Sequence, residues 1–155
     1  VEARNRAIDA TTRYCAVYGH PIKHSASPAM QNAGIAELGL NWRYLAFEVR
    51  PEQLREAVAG AKAMRFIGLN LTVPHKILAL DVVDEIDPAA KRLGAVNTVH
   101  FVDGKLRGFN TDGHGIATAI KEEFNITLKG RRVLVLGAGG AGLQPLLPQP
   151  RLEPI

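Results

Sequence analysis

From Tyr14 onward the chain alternates short apolar runs with longer amphipathic ones, the pattern of a sheet built strand by strand and covered by helices. Residues 14–18, 42–49 and 66–71 read as strands. Between them, 27–38 and 51–61 read as helices. Ser27 stands at the N-cap of the first, and Pro28 follows where its missing N–H is not needed. Gly39 ends that helix at the position that favours left-handed backbone. Pro74 opens a third helix to about residue 83, and a short one follows at 88–93. Residues 98–102 and 105–109 form a predicted hairpin, since Asp103-Gly104 suits a two-residue turn of positive φ. A helix over 113–124 leads through Leu128-Lys129-Gly130 into an apolar strand at 132–136. The fold class is α/β, an open, mostly parallel sheet with helices on both faces.

That last strand runs into Gly137, Ala138, Gly139, Gly140, Ala141 and Gly142, a Gly-x-Gly-x-x-Gly turn. Such a turn lets a pyrophosphate approach backbone amides at a helix N-terminus, as at the beginning of a Rossmann domain. The same glycines also serve as a plain structural turn. Residues 143–155 carry Pro145, Pro148, Pro150 and Pro154. Each proline inside a helix removes a donor and clashes with the preceding turn, at about 3 kcal/mol or more. The expectation is a truncated Rossmann beginning followed by an aberrant Pro-rich tail, as an out-of-frame or alternative end would give. The apolar strand, left with free backbone edges, is expected to promote self-association.

Composition narrows the function classes. With 155 residues, 46% hydrophobic and 22% charged, the chain can bury an ordinary globular core. Its net charge of +4 comes from scattered basic residues that do not interleave with aromatics, so no nucleic-acid partner is expected. No run of 18 apolar residues occurs, so no membrane partner is expected. The N-terminal stretch has neither a signal core nor transit-peptide character, which makes the cytoplasm the expected compartment. The single cysteine, Cys15, lies in an apolar run and reads as a buried, inert thiol. His20, His24, His75, His100 and His114 lack metal-ligand spacing, so no metal is expected and they read as solvent-facing or supporting groups.

Four segments follow predicted strands, at the edge where open parallel sheets bind ligands. In His24-Ser25-Ala26-Ser27-Pro28, two hydroxyls two residues apart precede a helix N-terminus, a neutral donor set suited to a carboxylate. Ser27 as a simple cap explains the same residues. In Asn70-Leu71-Thr72-Val73-Pro74-His75-Lys76, Lys76 sits in the first turn of a helix, against the macrodipole by a few tenths to about 1 kcal/mol. Asn70 and Thr72 share one side of the strand end beside it. Gly94-Ala95-Val96-Asn97-Thr98 offers the amide of Asn97, and Asn110-Thr111-Asp112-Gly113 places Asp112 or Thr111 as a cap within reach of a lysine.

Together, in this order and spacing, these segments and the glycine turn resemble the shikimate dehydrogenase family over about residues 14–142. The resemblance implies an N-terminal substrate domain and an NADP-binding Rossmann domain, with NAD left open. It implies reversible hydride transfer between the nicotinamide and the C3 carbonyl of 3-dehydroshikimate. By position, Ser25 and Ser27 would bind the substrate carboxylate, and Asn70, Thr72, Asn97 and Asp112 the ring hydroxyls. Lys76 and Asp112 would form the catalytic pair, with Lys76 also touching substrate. Gly137, Ala138, Gly139, Gly140, Ala141 and Gly142 would hold the cofactor. The implied layout is an extension at 1–13, a substrate domain at 14–112, a connecting helix and turn at 113–129, the first cofactor-domain strand and loop at 130–142, and the tail at 143–155. The chain departs from the family's pattern after the glycine turn, and at Met30-Gln31-Asn32, where many members carry a histidine before the asparagine. A non-catalytic module for shikimate-like carboxylates, and a dehydrogenase preferring quinate, are the competing readings. The paired serines favour shikimate, because quinate-preferring relatives, whose substrate carries an extra C1 hydroxyl beside the carboxylate, are expected to have a bulkier or altered second hydroxyl.

Overall fold

A computed structural model describes residues 7–134. The glycine turn, the tail and the end of the last predicted strand lie outside the described residues.

Chain order gives β1 (Arg13–Gly19), α1 (Ser27–Glu37), β2 (Trp42–Glu48), a 3-10 turn (Pro51–Gln53) leading into α2 (Leu54–Ala63), and β3 (Gly68–Leu71). Then come α3 (His75–Leu78) with a 3-10 turn (Ala79–Asp81), β4 (Glu85–Ile86), α4 (Pro88–Leu93), β5 (Thr98–Val102), β6 (Lys105–Phe109) and α5 (Asp112–Phe124). Among the described residues one six-stranded sheet results, ordered β2-β1-β3-β5-β6-β4. The β1–β2, β1–β3 and β4–β6 pairs are parallel, whereas β3–β5 and β5–β6 are antiparallel. The antiparallel step at β5–β6 follows from its connection. Asp103 and Gly104 both take positive φ, 51° and 73°, and a two-residue turn of that kind joins only antiparallel strands.

Alternation along β1 shows why helices cover both faces. Ala16 and Tyr18 point into a core shared with Leu54, Val58 and Ala61 of α2, while Val17 points the other way, to a core with Ile35 of α1 and Tyr44. The N-terminal segment docks on this frame through Asn41, whose amide reaches Asp9 and Thr11, and whose Oδ1 accepts from the Thr12 hydroxyl.

Several local expectations are corrected. Ala26, not Ser27, occupies the N-cap position of α1; Ser27 is its first helical residue, and no side chain caps that end. The helix expected from Pro74 to about residue 83 is one α turn and one 3-10 turn, because the Lys76 carbonyl accepts from Val96 N at 2.7 Å and ties the segment to the neighbouring strand end. Strand β4 was not anticipated, since two residues carry no periodicity. It is held by Glu85, which pairs with Lys105 and Arg107, and by the Asp84 carboxylate, which accepts from Leu106 N. Residues 132–134 form no strand: a strand exists only in a ladder, none of the described segments pairs with them, and Leu134 stands 85% exposed.

Candidate active site

Because β5 runs against β3 and β6 runs against β5, the C-terminal ends of β1, β3 and β6 and the N-terminal end of β5 meet at one edge of the sheet. Asn70 lies opposite Thr98, and Thr98 opposite Phe109. Backbone bonds from Leu71 N to Asn97 O and from Asn97 N to Phe109 O lock the three segments in register.

On that edge Lys76 Nζ donates to Asp112 Oδ2 at 2.5 Å, with side-chain exposures of 19% and 27%. The other carboxylate oxygen of Asp112 accepts from Asn97 Nδ2 at 2.7 Å. Asp112 is the first residue of α5, where a negative charge suits the helix dipole. The carboxylate is aimed from below by Asn110, whose Oδ1 accepts from Asp112 N while its Nδ2 donates to Ala95 O. Thr111 stands at the N-cap position, yet its hydroxyl accepts from Asn97 and does not cap the helix. An ammonium has three donors. With one engaged by Asp112, Lys76 keeps donors for an oxygen brought to this sheet edge, and the carboxylate keeps it oriented.

Asn70 joins the same group. Its Oδ1 accepts from the buried Tyr44 hydroxyl at 2.7 Å, and its Nδ2 donates to Thr98 Oγ1 at 3.0 Å. Burial pushes the Tyr44 phenol well above its ordinary range, so it stays a donor. Asn32 secures Tyr44 in turn: its Oδ1 accepts from Tyr44 N and its Nδ2 donates to Tyr44 O and Pro28 O, joining α1 to β2.

Of the seven polar residues expected at the site, four are brought together directly: Asn70, Lys76, Asn97 and Asp112. Thr72 stands at the end of β3 with its methyl against Gly19, where an added Cβ would lie 2.6 Å from it. Ser25 and Ser27 lie half-buried at the end of β1, with Ser25 Oγ accepting from Ser27 N at 3.3 Å. They do not touch the Lys76–Asp112 group. Their loop is anchored beside it by His20 N donating to Val73 O at 3.0 Å. The six cofactor-turn residues from Gly137 to Gly142 lie outside the described residues.

Of the two alternatives read for the histidines, His75 takes the supporting one: it is 0% exposed, and its Nε2 lies 2.8 Å from Val49 O. That contact requires the proton on Nε2, leaving Nδ1 buried without a partner. Burial lowers its pKa below the ordinary range, so the ring is a neutral pin between α3 and the end of β2. Cys15 is half-exposed, its thiol turned to the Arg43 carbonyl, and desolvation raises its pKa, consistent with an inert thiol. Tyr44, Thr98 and Asn110 were not singled out from sequence. The signal available for Thr98 was its place directly after Asn97, and for Tyr44 its inward phase on β2.

Residues 17–99 match the model of the shikimate dehydrogenase substrate binding domain. A shikimate dehydrogenase (NADP(+)) of Methanopyrus kandleri is 50% identical over 135 residues, covering 87% of this chain and 47% of its own length. The crystal structure of shikimate dehydrogenase from Aquifex aeolicus superposes with a TM-score of 0.85 at 46% identity, over 89% of this chain and 52% of that one. The Thermus thermophilus shikimate 5-dehydrogenase, solved in complex with shikimate, gives 0.80 at 46% identity, over 86% and 50%. The chain therefore spans about half the length of the curated relatives it matches.

Proposed function

This chain belongs to the shikimate dehydrogenase family through its substrate-binding domain, and from that premise we propose that it carries the substrate half of an NADP-dependent shikimate dehydrogenase, reversibly interconverting 3-dehydroshikimate and shikimate. The observation that carries this reading is the Lys76–Asp112 pair, held at 2.5 Å and braced by Asn97 at the sheet edge. The donor set there, one ammonium among neutral amides and hydroxyls, suits a small polyhydroxy acid and not a diphosphate. The dinucleotide accordingly belongs at the glycine turn from Gly137 to Gly142, which reads the pyrophosphate common to NADP and NAD.

In this reading Ser25 and Ser27 bind the substrate carboxylate, and Asn70, Thr72, Asn97 and Asp112 hold the ring hydroxyls. NADPH, when bound, supplies a hydride to the carbonyl carbon. As the carbonyl oxygen gains charge, the Lys76 ammonium stabilises it and gives it a proton; in the reverse direction the lysine takes that proton back. Asp112 keeps Lys76 pointed at the oxygen. The layout follows: a substrate domain at 14–112, a connecting helix and turn at 113–129, and the cofactor domain beginning near 130.

The test is kinetic, in a protein that carries this half together with a complete dinucleotide-binding domain. Lys76→Ala is expected to lower kcat for NADP reduction by shikimate on the order of 10²-fold or more, with a far smaller change in KM. A loss confined to KM would make Lys76 a binding residue, and wild-type turnover in the variant would remove the mechanism.

A further inference from the structure

The hydrogen bonds around Asn70 and Asn97 have a direction that can be deduced link by link. Asn97 is pinned by groups that cannot change role: its Oδ1 accepts from the Thr111 backbone N–H at 3.0 Å, and its Nδ2 donates to the Asp112 carboxylate at 2.7 Å. Thr98 Oγ1 lies 2.9 Å from that same Oδ1, so its hydroxyl must donate there. A hydroxyl has one proton. Towards Asn70, at 3.0 Å, Thr98 can therefore only accept, and Asn70 must present Nδ2 to it. The amide oxygen of Asn70 is then forced to the other side, where the Tyr44 hydroxyl donates to it at 2.7 Å. The second proton of Asn70 Nδ2 points to Asn97 O at 3.4 Å, in agreement.

Resting on the shikimate reading above, we propose that Thr98 and Tyr44 are positioning residues that fix the polarity of the Asn70 amide, so that Asn70 meets its ring hydroxyl as an acceptor. Both Asn70 N–H groups are spent within the protein, while its oxygen retains a second lone pair for a substrate O–H. Thr98 links the orientation dictated at Asp112 to Asn70 through side chains, bridging Asn97 Oδ1 and Asn70 Nδ2. The Lys76–Asp112 pair does not depend on it, because Asn97 keeps its Thr111 and Asp112 bonds without Thr98. The relay therefore bears on how tightly substrate is held and leaves the proton-transfer group intact.

A protein that carries this half together with a complete dinucleotide-binding domain tests this with Thr98→Val, which keeps the shape and removes the hydroxyl, and with Thr98→Ser, which restores it. Thr98→Val is expected to raise KM for shikimate by about three- to tenfold, the worth of one neutral hydrogen bond, with kcat within about twofold. Thr98→Ser should return KM to within about twofold of wild type. Unchanged KM in Thr98→Val, or failure of the serine to rescue, overturns the relay. Should Lys76→Ala retain turnover, the functional reading itself fails; a dead Lys76→Ala beside an unaffected Thr98→Val fails the relay alone. If Thr98→Val does not fold, the wild-type protein still decides. Through-space NMR contacts from the Asn70 side-chain amide protons to Thr98 support the polarity, and contacts to the Tyr44 ring in their place reverse it.

Discussion

Asp112→Asn is the sharpest local perturbation of the site, because it changes one atom type and almost no volume. The carboxylate satisfies two donors at once, Lys76 Nζ on Oδ2 and Asn97 Nδ2 on Oδ1. An asparagine offers one acceptor and one donor, so in either orientation its NH2 faces a donor that the carboxylate had satisfied. Facing Lys76, it forfeits a charge-assisted bond worth about 1.5 to 3 kcal/mol. The pair is partly solvated, with 19% and 27% exposure, so the 3 to 5 kcal/mol typical of breaking a fully buried pair is not reached. For a chain of this length that corresponds to a fall in Tm of about 3 to 12 °C. Thermal unfolding of the 155-residue chain, run as a double-mutant cycle with Lys76→Met, isolates the pair. With no ammonium to confront, Asp112→Asn should cost under about 1 kcal/mol in the Lys76→Met background, giving a coupling of about 0.5 to 3 kcal/mol. Equal costs in both backgrounds would refute the pairing.

Three further outcomes follow from the packing. His75 is buried neutral with its folded pKa below 6.5, so the unfolded chain takes up the proton first as pH falls. Stability should be fully present above about pH 6.5 and lost below it at up to about 1.4 kcal/mol per pH unit. Comparing denaturant midpoints across that range, His75→Gln, which keeps a donor for Val49 O but does not titrate, should flatten the slope; an unchanged slope would place its origin elsewhere. Gly68→Ala would put a Cβ 2.6 Å from the Val99 carbonyl, an atom fixed by the β3–β5 ladder. It should destabilise by about 1 to 3 kcal/mol, seen as a lower urea midpoint at constant m, and a neutral effect would contradict the close approach. Arg65 follows α2 at φ 57° without being glycine, so Arg65→Gly should raise stability by about 1 kcal/mol, seen as a higher urea midpoint, whereas a lower midpoint would mean the arginine side chain stabilises that end.

The sheet was legible wherever a signal had length or a strict backbone demand. The alternation over Tyr14–Tyr18 sorts Ala16 and Tyr18 from Val17, and Asp103-Gly104 fixes both the hairpin and its antiparallel sense. Strand β4 escaped because Glu85–Ile86 is defined by its partners on β6 and not by its own pattern. The helix after Pro74 was read too long because nothing local announces that Val96 takes the Lys76 carbonyl. At the site, side chains with distinctive chemistry at strand ends were found, and the Lys76–Asp112 contact joins residues 36 apart in sequence. Tyr44, Thr98 and Asn110 were missed because their hydroxyl and amide groups matter only through what they hold, and that depends on strand register. His75 was left open between solvent and a supporting role, because nothing local shows that a polar residue one place before the key lysine turns inward to a backbone carbonyl.

The central claim, that this sheet edge takes shikimate through its carboxylate and ring hydroxyls, is tested most directly by titrating shikimate into the isotopically labelled chain and following amide shifts. Saturable shifts concentrated at Ser25, Ser27, Asn70, Asn97 and Asp112, weakened at least about tenfold in the Ser25→Ala/Ser27→Ala double variant, are expected. Saturable binding that the double variant leaves unchanged, or shifts centred away from this edge, would contradict the account.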